Sequence, residues 1–517
     1  MCGIAGYIDR RRQLGEPALQ ARARAMADTL ATRGPDGDGV WADPGAGLAL
    51  GHRRLAIIDP SSAGHQPMLS ACHRYAISYN GEIYNYAELA RALAAEGVAV
   101  SGGSDTAVLL AACAHWGVAE ALSRCVGMFA FALWDGVEGT LWLARDRLGI
   151  KPLYWYADEA CFCFASQPKA IRAGLGTAPE IDRRALATYL ELGYIPAPHS
   201  IHAGMAKLPP GTVMRVDADG AHTPVAFWDL AETVRAARAA PFTGSYAEAV
   251  DALDARVRQA VTDRLVSDVP LGAFLSGGVD SSLVVAAMQQ EMRQPARTFS
   301  IGFAEGDYNE TPAAEAVARH LGTDHTTLTA TPEHALELVE QLADVYDEPF
   351  ADSSQLPTLL LSRLTRRHVT VALSGDGGDE TFAGYNRYRW LTRIARVRAR
   401  LGGPLSRGVA AAARALPPSA WRRLVQLAAR GAPPPQAGEQ VHKAADVLRA
   451  GDLNEAYRRT VAQWPAGTAL VPGARPYPDV VDRAELLLPE AQAMRQMQLW
   501  DTAGYLSDDI LTKVDRA

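Results

Sequence analysis

Val269-Pro270-Leu271-Gly272-Ala273-Phe274-Leu275-Ser276-Gly277-Gly278-Val279-Asp280-Ser281 is an apolar run, a glycine turn and the opening of a helix in immediate succession. An apolar run this short, bounded by a turn, reads as a buried strand, and the periodic stretch from 281 to about 293 reads as the helix after it. The rhythm repeats around it. Strands are expected at 298–303, 325–328 and 369–373, and helices at 246–266, 311–321 and 333–345, the last followed by the stretch 357–367. Strands alternating with helices imply a mostly parallel sheet with helices on both faces and ligands beyond the carboxyl ends of the strands.

Upstream the pattern changes. Strand-like runs at 2–8, 48–50, 55–58, 75–79, 128–134, 140–145, 153–156 and 160–165 are separated by Gly, Pro and Asp turns. Helical periodicity is confined to 19–32, 86–96 and 105–116, so this part reads as an α+β domain of sheet layers. A connecting helix at 182–192 and the proline-stiffened segments Tyr194-Ile195-Pro196-Ala197-Pro198 and Leu208-Pro209-Pro210-Gly211 mark a crossing between domains. The expected division is 2–180, a connection at 181–243, and 244–517. Residues 390–449, rich in Arg and Ala and interrupted by Pro433-Pro434-Pro435, read as solvated helix surface, because aromatics barely interleave as nucleic-acid binding would require.

Composition bounds the partners. The 517 residues can fill two or three cores, and a net charge of -7 supplies no field that would draw in nucleic acid or an anionic membrane. Small soluble partners fit better. Six cysteines are too sparse for a disulfide framework, and Cys161-Phe162-Cys163 puts two on one side of an alternating strand rather than in a zinc knuckle. With no basic leader and no apolar run of about 18 residues, a reducing cytoplasm is the expected location.

Cys2 is the first candidate for chemistry. Removal of Met1 would expose a thiol and an α-amine on one residue, and an amine with a pKa near 8 can take the thiol proton and return it to departing ammonia. Arg54 could clamp a substrate α-carboxylate with its planar fork, Asp105 could hold an α-ammonium, and Asn80-Gly81 could supply a side-chain amide and a backbone N–H to an oxyanion. Each has a plainer reading. Arg54 could be a surface ion pair, Asp105 a helix cap and Asn80-Gly81 a turn.

Seven motifs in combination narrow these alternatives: Cys2-Gly3-Ile4-Ala5-Gly6, Arg33-Gly34-Pro35-Asp36, His52-Arg53-Arg54-Leu55-Ala56-Ile57-Ile58-Asp59, Gln66-Pro67-Met68, Tyr79-Asn80-Gly81-Glu82-Ile83-Tyr84-Asn85, Ser104-Asp105-Thr106, and Arg145-Asp146-Arg147-Leu148-Gly149-Ile150-Lys151-Pro152-Leu153. Together they resemble the class II, N-terminal-nucleophile glutamine amidotransferases over roughly residues 2–170. The resemblance implies that Cys2 forms a glutamyl thioester, that Asn80 and Gly81 make the oxyanion hole, and that Arg54, Glu82 and Asp105 hold glutamine. Gln167 departs from the pattern. Where it stands the family usually carries glutamate, so altered contacts between domains are expected there.

In Ser276-Gly277-Gly278-Val279-Asp280-Ser281 the glycines let backbone N–H groups approach phosphate oxygens at a helix N-terminus, without the Gly-Lys-Ser/Thr ending of a Walker A loop. A second glycine loop, Ser374-Gly375-Asp376-Gly377-Gly378-Asp379-Glu380, directly follows a strand, and two acidic loops at strand ends can converge on Mg²⁺ carried by a polyphosphate. The first loop resembles that of ATP-pyrophosphatase enzymes, and the pair, with Gly384-Tyr385, resembles the asparagine synthetase family. By that resemblance Leu275, Ile301 and Gly375 line an adenosine pocket, Ser276, Gly277, Gly278, Asp280, Ser281 and Ser374 hold ATP and its pyrophosphate, and Asp280 with Asp379 binds Mg²⁺. Asp376 stands where the family often has glutamate and takes the acidic role near the acceptor.

The implied fold is an αββα N-terminal-nucleophile sandwich followed by a parallel-sheet α/β domain of the adenine-nucleotide alpha-hydrolase type. The implied reaction is ATP-dependent conversion of aspartate to asparagine with glutamine-derived ammonia; another carboxylate, such as a sugar acid or peptide precursor, is the alternative acceptor. The resemblance leaves room for a homodimer. Glutaminases coupled to sugar-phosphate or phosphoribosyl chemistry match the first domain only, and a catalytically inert scaffold is the competing class. Asp508-Asp509-Ile510-Leu511-Thr512-Lys513-Val514-Asp515-Arg516-Ala517 resembles the start of a longer synthetase motif, so a following lysine-bearing tail is expected to be missing.

Overall fold

The computed structural model describes residues 1–217, 220–302, 310–428, 437–464, 468–488 and 492–517. The triple proline 433–435 and the last residue of the strand expected at 298–303 lie outside the described residues. Two compact units result: Met1–Ala185 with Tyr194–Asp376 and Ser507–Ala517, and Leu186–Gly193 with Gly377–Leu506.

Among the described residues the first unit holds three sheets. One is antiparallel, in the spatial order Met205–Lys207, Tyr154–Ala157, Cys161–Ala165, Gly3–Asp9, Leu48–Arg54, Gly37–Asp43. The second, also antiparallel, runs Gly220–Ala221, Thr212–Asp217, Thr140–Arg145, Gly127–Asp135, Tyr75–Ile83, Met68–Leu69, with Val225–Ala226 beside Thr212–Asp217. Alternation along their strands builds the layers. Ile4, Phe162 and Phe164 of the first sheet share a buried core with Ala130, Ala132 and Trp134 of the second. Ala5, Tyr7, Cys161 and Cys163 face the opposite way, onto Leu19, Ala23 and Met26 of the helix Glu16–Asp28. Phe129, Phe131 and Leu133 face outward onto Leu89, Leu93 and Leu109 of the helices Tyr86–Ala95 and Asp105–Trp116. The stack is therefore αββα, and each buried phenylalanine in it is worth about 3–5 kcal/mol against alanine. All six cysteines are free, and Cys161 and Cys163 do share one face of their strand.

The third sheet is parallel, in the order Asp324–Thr329, Arg297–Gly302, Leu271–Phe274, Val371–Leu373. The helices Tyr246–Thr262, Val279–Glu291 and Thr311–Leu321 pack on it in one cluster, and Pro332–Val339 and Gln355–Thr365 in another. Two expectations need correction. The apolar run 55–58 is no strand: the Leu55 N–H points at Cys2 Sγ and the Ala56 N–H at the Asp36 carboxylate, so the chain leaves the sheet after Arg54. The helix expected at 333–345 is two, Pro332–Val339 and Leu342–Tyr346, broken where the sequence offers no helix breaker.

Charged contacts dock the last helix of this unit, Leu511–Arg516, on the sandwich. Arg33 makes two hydrogen bonds to Asp515, of 2.7 and 3.1 Å, and Lys151 Nζ lies 3.5 Å away. Burial alone would raise the Asp515 pKa, but Arg33 and Lys151 outweigh it and hold the carboxyl well below its usual range. Nearby, the buried Gln167 donates through Nε2 to the Val345 carbonyl at 3.0 Å. An ionised glutamate has no hydrogen to give there. Gln167→Glu should therefore cost about 1–3 kcal/mol, read as a lower thermal midpoint; an unchanged midpoint would show that the contact carries no weight.

The second unit is helical. Asp501, with no exposed surface, accepts from the Tyr388 and Tyr457 hydroxyls and pairs with Arg387 at 2.8 Å. Several of its arginines are engaged in ion pairs, as Arg458 with Asp479 and Arg414 with Asp446, which suits a solvated helix surface. Among the described residues no helix is long and apolar enough to cross a membrane.

Candidate active site

One pocket of the first unit is lined by Cys2, Arg54, Asn80, Gly81, Glu82 and Asp105, all six residues expected to handle glutamine. Its volume is about 60 Å³ with Met1 among its walls. Cys2 immediately precedes the strand Gly3–Asp9, and its Sγ lies 3.3 Å from the Leu55 N–H. Burial pushes the thiol pKa up, opposed by the neighbouring α-amine and the Leu55 N–H. The α-amine, here on Met1, donates to the Arg33 carbonyl at 2.9 Å; burial first, then Arg33, brings its pKa down to about 5. An amine in this position is neutral near pH 7 and able to accept a proton.

Asn80-Gly81 is no turn but the interior of the strand Tyr75–Ile83, and a Cβ at Gly81 would collide with the Met128 carbonyl and Phe129. The Asn80 Nδ2 is buried and has no hydrogen-bond partner among the described residues. A buried amide donor without an acceptor costs free energy unless something else supplies one. Asp105 is not the helix cap. Ser104 takes that part by accepting from the Ala107 N–H, while the Asp105 carboxylate accepts from the Tyr79 hydroxyl at 2.8 Å and the Ile83 N–H at 3.0 Å. Arg54 is no surface ion pair: its guanidinium is held by the carbonyls of Ser61 and Asp59.

Glu82 supplies a pH-dependent charge. Burial, with Asp105 adding to it and Lys151 opposing, pushes its pKa up to about 7. A neutral carboxylic acid cannot pair with an ammonium, so glutamine KM should fall several-fold as pH rises from about 6 to about 8. Initial-rate measurements across that window test this; Glu82→Gln should flatten the profile, and a profile unaltered by that substitution would remove Glu82 from substrate binding.

Gln66, Tyr79, Thr106 and Lys151, for which the sequence suggests no role, also line the pocket. Gln66 accepts from the Tyr79 N–H at 2.7 Å, and Tyr79 in turn holds Asp105. Ile57 and Ile58 line the pocket as well, which explains apolar residues in a segment that is not a strand.

Leu275–Ser281 and Ser374–Asp376 follow the carboxyl ends of the adjacent parallel strands Leu271–Phe274 and Val371–Leu373. Gly277 has φ +80 and packs on the Ala313–Ala314 backbone, so only glycine fits. Ser276 and Ser281 join their hydroxyls at 3.0 Å, and the Gly278 N–H donates to Ser276 Oγ at 3.2 Å. A Cβ at Gly375 would stand 2.8 Å from the Ser281 nitrogen, so the two loops touch. Leu275 is buried at the strand end, and Ile301 pairs with Leu328 in the neighbouring strands. Asp280 and Asp376 belong to the first unit and Asp379 to the second, in the first turn of Gly378–Phe382. Among the described residues no three His, Cys, Asp or Glu gather to hold a metal ion. Asp280, in the first turn of the helix after the glycine loop, offers a hard oxygen donor of the kind Mg²⁺ takes.

The glutamine amidotransferase domain profile matches residues 1–228, and the asparagine synthase profile matches residues 252–517. The chain belongs to the asparagine synthase family. Asparagine synthetase [glutamine-hydrolyzing] 1 of Bacillus subtilis is 36% identical to this family member over 393 residues, covering 75% of this chain and 60% of the relative. Asparagine synthetase [glutamine-hydrolyzing] 3 of the same organism is 33% identical, covering 74% and 63%. Amidase chry2 of Gibberella zeae is 29% identical, covering 75% and 60%. The chain thus spans about 60% of the length of the Bacillus subtilis family member matched at 36% identity.

Proposed function

We propose that this protein is a glutamine-dependent amide ligase that converts aspartate to asparagine through an acyl-adenylate. The observation carrying the reading is the partnerless buried Asn80 amide in one pocket with Cys2, Arg54, Glu82 and Asp105. In this reading residues 2–180 are the glutaminase, 181–243 the connection and 244–517 the synthetase. With Met1 removed, the Cys2 amine takes the thiol proton and Sγ attacks the glutamine amide carbon. Asn80 Nδ2 and the Gly81 N–H hold the oxyanion, Arg54 the α-carboxylate, and Glu82 with Asp105 the α-ammonium. The amine returns its proton to departing ammonia, and water hydrolyses the thioester to glutamate.

In the synthetase half, an acceptor carboxylate oxygen attacks the α-phosphorus of ATP and pyrophosphate leaves. The N–H groups of the 276–281 loop and its helix N-terminus orient the phosphates, with Ser374 beside them, while Leu275, Ile301 and Gly375 seat the adenosine. Mg²⁺, for which Asp280 of the first unit would be a ligand, would neutralise charge on the polyphosphate. Ammonia then attacks the acyl carbon, Asp376 accepts its proton, and AMP leaves.

The nucleotide product tests this. With ammonium, Mg²⁺, ATP and aspartate, AMP and pyrophosphate should form together with asparagine; ADP and phosphate would overturn the adenylate. Turnover of another carboxylate but not aspartate, as the amidase-named relative keeps in view, would change the acceptor alone.

A further inference from the structure

A second cavity in the sandwich, of about 330 Å³, shares no lining residue with the glutamine pocket and serves none of these steps. Strand pairing places its lining. Tyr75 stands opposite Asp135 and Asp135 opposite Thr140, while two residues along Leu133 stands opposite Trp142 and Trp142 opposite Arg215. Directly opposed residues and those two apart on a strand share a face, so these six side chains lie on the face that carries Phe129 and Phe131. The helices Tyr86–Ala95 and Asp105–Trp116 cover the phenylalanines. That cover ends at Gly117, at φ +80, and Cys113, Gly117 and Val118 line the cavity from the helix side.

We propose that this cavity binds an aromatic carboxylate, with its ring against Tyr75 and Trp142 and its carboxylate on Arg215. Pockets for small organic ligands begin at about 300 Å³. Leu133 and Cys113 are buried, and the partly buried rings of Tyr75 and Trp142 pack against the same core, so the lining is apolar and aromatic and favours a flat ring over water. The charges differ in what they have left to give. The Asp135 carboxylate accepts two hydrogen bonds from Arg74, at 2.8 and 2.7 Å, and others from the N–H groups of Val137 and Glu138, so little of its acceptor capacity is left. Glu138, with its side chain 67% exposed, is solvated. Arg215 meets one carboxylate oxygen, Asp217 Oδ2 at 2.8 Å, and most of its five N–H donors are unspent among the described residues. Its planar fork matches a ligand carboxylate and repels a ring that carries an ammonium. The site depends on neither half-reaction.

Calorimetric titration of the full chain would compare indole-3-propionate with tryptamine, which keeps the ring and carries a cation, and with hexanoate, which keeps the carboxylate and has no ring. Indole-3-propionate should bind saturably, and about tenfold or more tightly than either. Arg215→Gln and Trp142→Leu should each weaken it about tenfold or more. Neither position lines the glutamine pocket, so a loss of binding locates the probe in this cavity. Arg215, with half of its side chain exposed, tolerates the substitution without loss of packing, and melting curves confirm that both variants fold. No saturable binding of indole-3-propionate, equal or tighter binding of tryptamine or hexanoate, or binding that survives Arg215→Gln would overturn the site.

Discussion

Cys2→Ala should abolish glutamine hydrolysis, by about 10⁴-fold or more, as removal of a covalent nucleophile does elsewhere. In the proposed reading Cys2 Sγ makes and breaks the bond to the glutamine carbon, while Arg54, Asn80, Gly81, Glu82 and Asp105 bind or polarise. The methyl group of alanine still fills the start of the strand Gly3–Asp9, whose partners Arg53 and Ala165 lie beyond the pocket, so the fold should persist. Synthesis driven by ammonium should continue at close to its original rate, because no thioester is needed when nitrogen arrives free. A variant that keeps most of its glutaminase would remove Cys2 from the chemistry.

The complementary result is expected from Asp280→Asn: AMP formation with ammonium should drop about 100-fold or more, with glutamine hydrolysis untouched. Asp280 sits in the first turn of the helix Val279–Glu291, where a carboxylate suits the helix dipole but would repel phosphate oxygens bound at the same N-terminus. The two fit together only when a cation lies between them. The carboxamide keeps the shape and loses the charge, so the defect should ease little with added Mg²⁺. AMP formation at the parental rate across Mg²⁺ concentrations would contradict the role.

Much of this was legible in the sequence where local signals suffice. Asp105–Trp116 and Thr311–Leu321 begin and end as read, because Ser104 and Pro312 mark their starts and Gly117 and Gly322, both at positive φ, their ends. The alternating strands of the sandwich were equally plain, since one-sided burial imposes a period of two. The run 55–58 misled because its apolar side chains line a pocket rather than a sheet face. What sequence could not carry is contact at long range. Arg33 meets Asp515 across 482 residues, and Gln167 meets Val345 across 178. Neither partner has a local pattern that names the other. The orphaned Asn80 amide is likewise a property of the assembled pocket, since Asn-Gly in isolation reads as a turn.

The most direct test of coupled amide ligation follows the nitrogen itself. The protein, with Met1 removal verified, would receive glutamine labelled with nitrogen-15 in its amide, ATP, Mg²⁺ and aspartate, and the product would be read by mass spectrometry and ³¹P NMR. Nitrogen-15 should appear in the side-chain amide of asparagine, with one AMP for each amide formed and loss of the label from product in Cys2→Ala. Unlabelled product, or labelled product accompanied by ADP, would contradict coupled ligation.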